Sequence, residues 1–258
     1  GSLFMYAKNK TNLVEAERIQ GVSFENDLLS QTYAYTVGST GLTDKRAGLL
    51  SSLIHTNVAY QKATEGTIGN DNLSGAVVFG KDGNDTLTAI ASGSLLHGGE
   101  GNDKLVGGIG SDRLFGAEGS DTLIGGKGAD TLDGGLGNDI YQFGRGDGKD
   151  VVRESGGSDQ IIFGNNITAN QLWFTKSGDN LVIKVIGTTD EMTIEKWYSN
   201  DSFKVESIKS SDGKTLTSAH VDALVSAMSS FSVPAAGQTI LPANYQSSLN
   251  VALAANWA

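Results

Sequence analysis

Five aspartates, Asp103, Asp112, Asp121, Asp130 and Asp139, recur at intervals of nine residues. Each sits at the sixth position of a nonapeptide: GGEGNDKLV, GGIGSDRLF, GAEGSDTLI, GGKGADTLD and GGLGNDIYQ, unbroken from residue 98 to residue 142. The form is GGxGxDxUx, with U a large apolar residue. Asp85 extends the series backward in phase through GKDGNDTLT, and the repeat between them, AIASGSLLH, puts Ser94 where aspartate is expected. Asp71 belongs to a good match, GTIGNDNLS, that is displaced by a break of five residues, 75–79. After residue 142, Asp150 follows a two-residue insertion, and Asp159 reads as a further member. Regularly spaced carboxylates set among glycine-rich turns offer hard oxygen donors, from the side chains and from the turn carbonyls. Such donors in a flexible loop suit Ca²⁺, whereas Mg²⁺ needs a tighter octahedron and sheds water reluctantly. No histidine or cysteine takes part, which removes the usual ligands of zinc and copper.

These aspartates could act together only if the chain stacks them. A period of nine is the signature of a solenoid. The x-U-x triplet makes a short strand with its middle residue inward, and the glycines let the remaining six residues turn sharply. Two nonapeptides make one coil of 18 residues. Leu87, Leu96, Leu105, Leu114, Leu123, Leu132 and Tyr141 then form an internal ladder that a single repeat could not bury. Asp85, Asp103, Asp121 and Asp139, joined by Asp159, fall on one edge; Asp112, Asp130 and Asp150 fall on the other. Carboxylates stacked at the strand spacing of about 4.8 Å repel by about 3 kcal/mol per pair at an effective dielectric of about 20. A dication between them reverses the sign. Calcium is therefore expected between turns, about four to eight ions in all. The ligands expected are these aspartates, Asp71, and the turn glycines Gly83, Gly99, Gly101, Gly108, Gly110, Gly119, Gly126, Gly128, Gly135 and Gly137. Ser94 should leave the second edge without a site at its N-terminal end. The expected fold is all-β dominated, a parallel β-roll with a flanking β-rich C-terminal cap and short helices, and its folding should depend on calcium.

Composition agrees. Of 258 residues, 35 are glycine, and 23 of these lie between Gly66 and Gly148, so the excess belongs to the repeat. The net charge of −10 disfavours nucleic acid and anionic lipid as partners. The absence of cysteine excludes disulfides and cysteine-based metal sites, and no apolar run is long enough to span a membrane as a helix. Gly1-Ser2 reads as a cloning scar. Four segments are expected: 3–65, a flanking or capping segment; 66–163, the roll; 164–231, a β-rich flanking domain; and 232–258, a loosely ordered secretion-signal tail. In the first, residues 31–37 (QTYAYTV) read as a strand and residues 44–62 as a helix. Beyond the roll, residues 172–175, 180–186 and 192–198 read as strands, Asp212-Gly213 as a hairpin turn, and residues 218–231 as a helix with Val221, Leu224, Val225, Met228 and Phe231 on one face.

No enzyme motif emerges. There is no G-x-S-x-G elbow and no H-E-x-x-H pair. His55, His97 and His220 are isolated, and His97 reads as a surface residue of a degenerate repeat. Gly75-x₄-Gly80-Lys81 falls short of a phosphate loop because Asp82 replaces the Ser/Thr that would hold Mg²⁺. Trp173, Trp197 and Tyr198 are residues that could stack on a sugar, which makes a polysaccharide or a cell surface an alternative partner.

The nonapeptides resemble the RTX family, the haemolysin-type calcium-binding repeats of bacterial exoproteins. The resemblance covers residues 66–163, and QLWFTKSGDNLVIKVIG, MTIEKWY and SSDGKTL are similar to the domain that follows such repeats. The last residues, around PAAGQTILPANYQ, are similar to tails of large exported RTX proteins. The resemblance implies a right-handed parallel β-roll, with metal-ligand roles on Asp85, Asp103, Asp112, Asp121, Asp130 and Asp139. It also implies passage through a type I secretion apparatus, and a location outside or on the surface of a Gram-negative bacterium. The module would serve a toxin, adhesin or enzyme without itself being one.

Overall fold

The computed structural model describes residues 3–6, 15–18, 63–90, 93–164 and 166–258. The chain divides into two units, 1–62 and 63–258. In the first, β1 (Leu3–Tyr6) and β2 (Glu15–Arg18) pair antiparallel. The strand expected at 31–37, the helix at 44–62 and His55 lie outside the described residues.

The second unit is built from strands of two to six residues separated by turns. They are β3 (Thr64–Glu65), β4 (Asn72–Gly75), β5 (Val77–Asp82), β6 (Thr86–Ala89), β7 (Leu95–Glu100), β8 (Lys104–Ile109), β9 (Arg113–Glu118), β10 (Thr122–Lys127), β11 (Thr131–Leu136), β12 (Ile140–Phe143), β13 (Lys149–Arg153) and β14 (Gln160–Phe163). Even-numbered strands from β4 to β14 lie side by side in one sheet and odd-numbered strands from β3 to β13 in the other, all parallel within their sheet. The chain therefore crosses from sheet to sheet at every turn, and two nonapeptides make one coil of a parallel β-roll.

Strand register comes from the apolar residue at the eighth position of each repeat. Leu73, Leu87, Leu105, Leu123, Tyr141 and Ile161 align across the even sheet, and Val78, Leu96, Leu114, Leu132 and Val152 across the odd one. From Val78 onward all of these side chains are fully buried. A one-residue slip would turn each ladder outward, so the leucines specify the stacking as well as stabilise it.

Coil length varies where the sequence pattern breaks. The first coil takes 14 residues, because β4 turns into β5 at a bend around Ala76 instead of through a glycine loop; Leu73 still meets Leu87. This bend also disposes of the phosphate-loop reading, since Val77–Asp82 is a strand with Val77, Val78 and Phe79 buried. The insertion near residue 145 lengthens the coil to 20 residues, and β13 rejoins the register.

Parallel pairing runs on beyond residue 163. β15 (Leu172–Ser177), β16 (Asn180–Val185) and β17 (Glu191–Ile194) form an antiparallel meander whose last strand pairs parallel with β13. β18 (Ser207–Lys209) pairs parallel with β14 and forms a hairpin with β19 (Thr215–Thr217) around Asp212-Gly213. The meander's antiparallel edge ends the parallel stacking on the odd sheet, and the hairpin does so on the even sheet. Strand β17 stops at Ile194, short of the run to 198 expected from sequence.

Helix α1 (Ser218–Met228) buries Val221, Leu224 and Met228, the face its periodicity indicates. The segment 232–258 is not loose. It contains α2 (Ala243–Asn256), which buries Leu249 and Leu253. Beyond it Trp257 lies against Phe174, with ring centroids 6.3 Å apart, and Thr215 exchanges two backbone hydrogen bonds with Ala258. Small residues gave this segment a featureless pattern, but the apolar residues it does have find partners on β15 and α1. Among the described residues no helix is long and apolar enough to cross a membrane.

Candidate calcium sites

Each glycine loop is shaped by its second and fourth positions. All ten glycines singled out from the sequence have positive φ, between 89° and 157°. At Gly99 the requirement is also steric, since a Cβ there would lie 1.8 Å from the Lys81 carbonyl oxygen of the preceding coil. Ala117 and Lys81 occupy this same second position and still adopt φ of 90° and 88°. The loss of glycine thus strains the turn without reshaping it, at about 1–2 kcal/mol for each such residue.

The loops place the aspartates in two columns. On one edge, the backbone N–H of Asp71 donates to Oδ1 of Asp85, Asp85 to Asp103, Asp103 to Asp121, Asp121 to Asp139, and Asp139 to Asp159, at 2.7–2.8 Å. On the other edge Ser94 donates to Asp112, Asp112 to Asp130, and Asp130 to Asp150, at 2.6–3.0 Å. Asp71 therefore joins the first column despite its broken phase. Its Oδ2 accepts from the N–H and the hydroxyl of Thr67, so its carboxylate is already engaged.

In all eight remaining aspartates, Asp85, Asp103, Asp112, Asp121, Asp130, Asp139, Asp150 and Asp159, Oδ2 is buried and has no hydrogen-bond partner. Their side chains are at most 2% exposed. A buried carboxylate oxygen left unpaired is costly and calls for an explanation such as a bound ion. The oxygens point into cradles over the first glycine of their own loops: a Cβ on Gly80, Gly98, Gly116 or Gly134 would come within 2.1–2.3 Å of Oδ2 of Asp85, Asp103, Asp121 or Asp139. Into three of these cradles also points the carbonyl of the equivalent glycine one coil on, Gly98, Gly116 or Gly134, at 2.5–2.8 Å from that same Cβ position. Each of these three cradles so presents oxygen donors from two successive coils, and the residues present fit a calcium ion. These first glycines were not singled out from the sequence, although the GG doublet marks them.

Electrostatics point the same way. Burial raises the carboxyls of all eight, opposed in each case by the backbone N–H that its Oδ1 accepts. Asp103, Asp130 and Asp139 are pushed up to about 6, and Asp121 and Asp150 to about 8. Neighbouring carboxylates in the same column add to the rise for most of them.

Two acidic residues at the sites have no place in the repeat pattern. Glu206 ends the first column, its Oε2 accepting from the Asp159 N–H at 2.7 Å; only the pairing of β18 with β14 brings it there. Glu154 is buried at the first-glycine position of the loop that ends in Asp159, beside Asp139 and Asp159. A polar ladder also runs along the fifth positions, Asn70 accepting from Asn84, Asn84 from Asn102, and Asn102 from Ser120.

Other candidates fare differently. His97 is buried rather than exposed, with its ring between Phe79 and Phe115 at centroid distances of 5.9 and 6.4 Å. The register Phe79–His97–Phe115 stacks these three side chains on one face of the odd sheet, and burial lowers the imidazole to about 4, leaving it neutral. His220 is exposed and bonds Thr217. Trp173 and Trp197 are 2% and 1% exposed and Tyr198 is half-buried; packed in the core, the two tryptophans present no platform for a sugar.

The fold and the two carboxylate columns define a calcium-binding β-roll module. Comparison with known families agrees: the model of the RTX calcium-binding nonapeptide repeat (4 copies) matches residues 91–123 and 115–150, and that of the haemolysin-type calcium binding protein related domain matches residues 180–220. The chain carries RTX calcium-binding repeats followed by the related domain. It is also similar to the iron-regulated protein FrpA of Neisseria meningitidis serogroup C, 35% identical over 92 residues, which cover 33% of this chain and 8% of that protein.

Proposed function

We propose that this chain is a non-catalytic module that folds on binding calcium and supports type I secretion and extracellular folding of a larger exoprotein, a toxin, adhesin or enzyme, of a Gram-negative bacterium. The observation that carries the reading is the set of eight buried, unpaired aspartate oxygens in two columns. Calcium ions lie between Asp85 and Asp103, Asp103 and Asp121, Asp121 and Asp139, and Asp139 and Asp159 on one edge. Asp112 with Asp130, and Asp130 with Asp150, hold them on the other, with loop-glycine carbonyls completing the shells. Asp71, engaged by Thr67, is the outermost member. RTX repeats bind calcium, and proteins that carry them are typically secreted. A chain whose stability waits on external calcium stays unfolded inside the cell and so remains threadable through an exporter. The segment 232–258 acts as the export signal before α2 docks.

Isothermal titration and equilibrium dialysis of the full chain test the first half: about four to eight calcium ions should bind, with Mg²⁺ failing to replace them. Saturation at one or two ions would refute the column assignment. For the second half, co-expression with a type I exporter should deliver the chain to the medium, and deletion of residues 232–258 should abolish this. Export unaffected by the deletion would refute the signal assignment.

A further inference from the structure

Two departures from the repeat meet at one point. Tyr141 stands where the even-sheet ladder has leucine in the three preceding coils, Leu87, Leu105 and Leu123. Glu154 stands where the five earlier loops of that edge have their first glycine. The Tyr141 hydroxyl donates to Glu154 Oε1 and accepts from the Gly134 N–H at 2.9 Å. The Ser155 N–H holds Glu154 Oε2 at 3.1 Å. A single glutamate in a dry turn would be costly, yet here the chain supplies a dedicated phenol to orient it.

Glu154 faces the two aspartates of the last cradle. Carboxylate oxygens of Asp139, Glu154 and Asp159 lie within 4.8 Å of one another, and the residues are 1%, 4% and 1% exposed. Oδ2 of Asp139 and of Asp159 has no partner, and among the described residues no basic side chain pairs with any of the three. The spacing suits a cation bound at 2.3–2.6 Å by oxygen. We propose that Asp139, Glu154 and Asp159 form a three-carboxylate cation site that fills before the two-carboxylate sites of the roll, with Glu154 as a ligand and Tyr141 as its positioning residue. The inference rests on the calcium reading above and adds an order to it. The ion that binds first does so at the coil next to β18, where the roll meets its cap.

A Tb³⁺ titration of the full chain, excited through tyrosine and repeated with Ca²⁺ as competitor, tests this. The first step should be the tightest and should be sensitised by Tyr141. Tyr141→Phe should remove that sensitised emission, while directly excited terbium still reports binding. Glu154→Gln should weaken the first step by about tenfold or more and leave the later ones. Glu154→Gly, which restores the motif's glycine and so protects the fold, should do the same. Asp121→Asn, two coils away from Asp159, should weaken later steps only. An unchanged first step in both Glu154 variants would overturn this inference and leave the calcium module standing. Absence of Tb³⁺ and Ca²⁺ binding by the unaltered chain would overturn both.

Discussion

Removing calcium at neutral pH should unfold the roll, and acid should partly restore it. An aspartate held at about 6 in the folded chain, as Asp103, Asp130 and Asp139 are, against 3.8 when exposed, costs about 3 kcal/mol of folding free energy at pH 7. Asp121 and Asp150, held at about 8, cost about 4 kcal/mol each. Two or three such groups cancel much of the 5–15 kcal/mol that stabilises a domain, so the metal-free roll should not persist. Because these folded-state values are raised, the folded chain holds protons that the unfolded chain releases between about pH 4 and pH 8. Stability without metal therefore falls as pH rises through that window. Far-UV circular dichroism in EDTA should show little β signal at pH 7.5 and a gain on acidification toward pH 5. At pH 7.5 the full signal should return cooperatively at about 10⁻⁴ to 10⁻³ M Ca²⁺ but not with Mg²⁺. A complete β signal in EDTA at pH 7.5, unaltered by acid or by calcium, would refute the reasoning that the columns oppose folding until a cation enters.

Ser94→Asp should extend the second column past Asp112, whose Oδ1 the Ser94 N–H already meets at 2.6 Å. One further ion by equilibrium dialysis and a lower calcium midpoint are expected. Leu123→Ala opens a cavity in a fully buried ladder and should cost about 2–5 kcal/mol, measured as a higher calcium midpoint with stoichiometry unchanged. Ala117→Gly relieves a positive φ of 90° and should stabilise the calcium-loaded chain by about 1 kcal/mol, seen as a higher midpoint in urea denaturation.

The nine-residue period carries its own structural instructions. Glycine spacing determines where the chain can turn, the apolar eighth residue determines which side chain must face inward, and the aspartate that follows each turn is placed by both. The roll, its ladders and the columns Asp85 to Asp159 and Asp112 to Asp150 were legible for that reason, because the period returns the same residue type to the same place in successive coils. Tertiary structure decided what lies between coils or outside the period. Stacking register, not local phase, absorbed a 14-residue coil at one end, drawing Asp71 into line, and 20-residue coils at the other. Burial is a property of neighbours distant in sequence, so His97, Trp173 and Trp197 became core only when their sheet and helices assembled. The same holds for α2, whose weak pattern acquired meaning from the surface it meets. Glu154 and Glu206 break the motif and were invisible to it. They became candidate ligands because closing the coils set Glu154 beside Asp139 and Asp159, and pairing β18 to β14 set Glu206 at the end of the column.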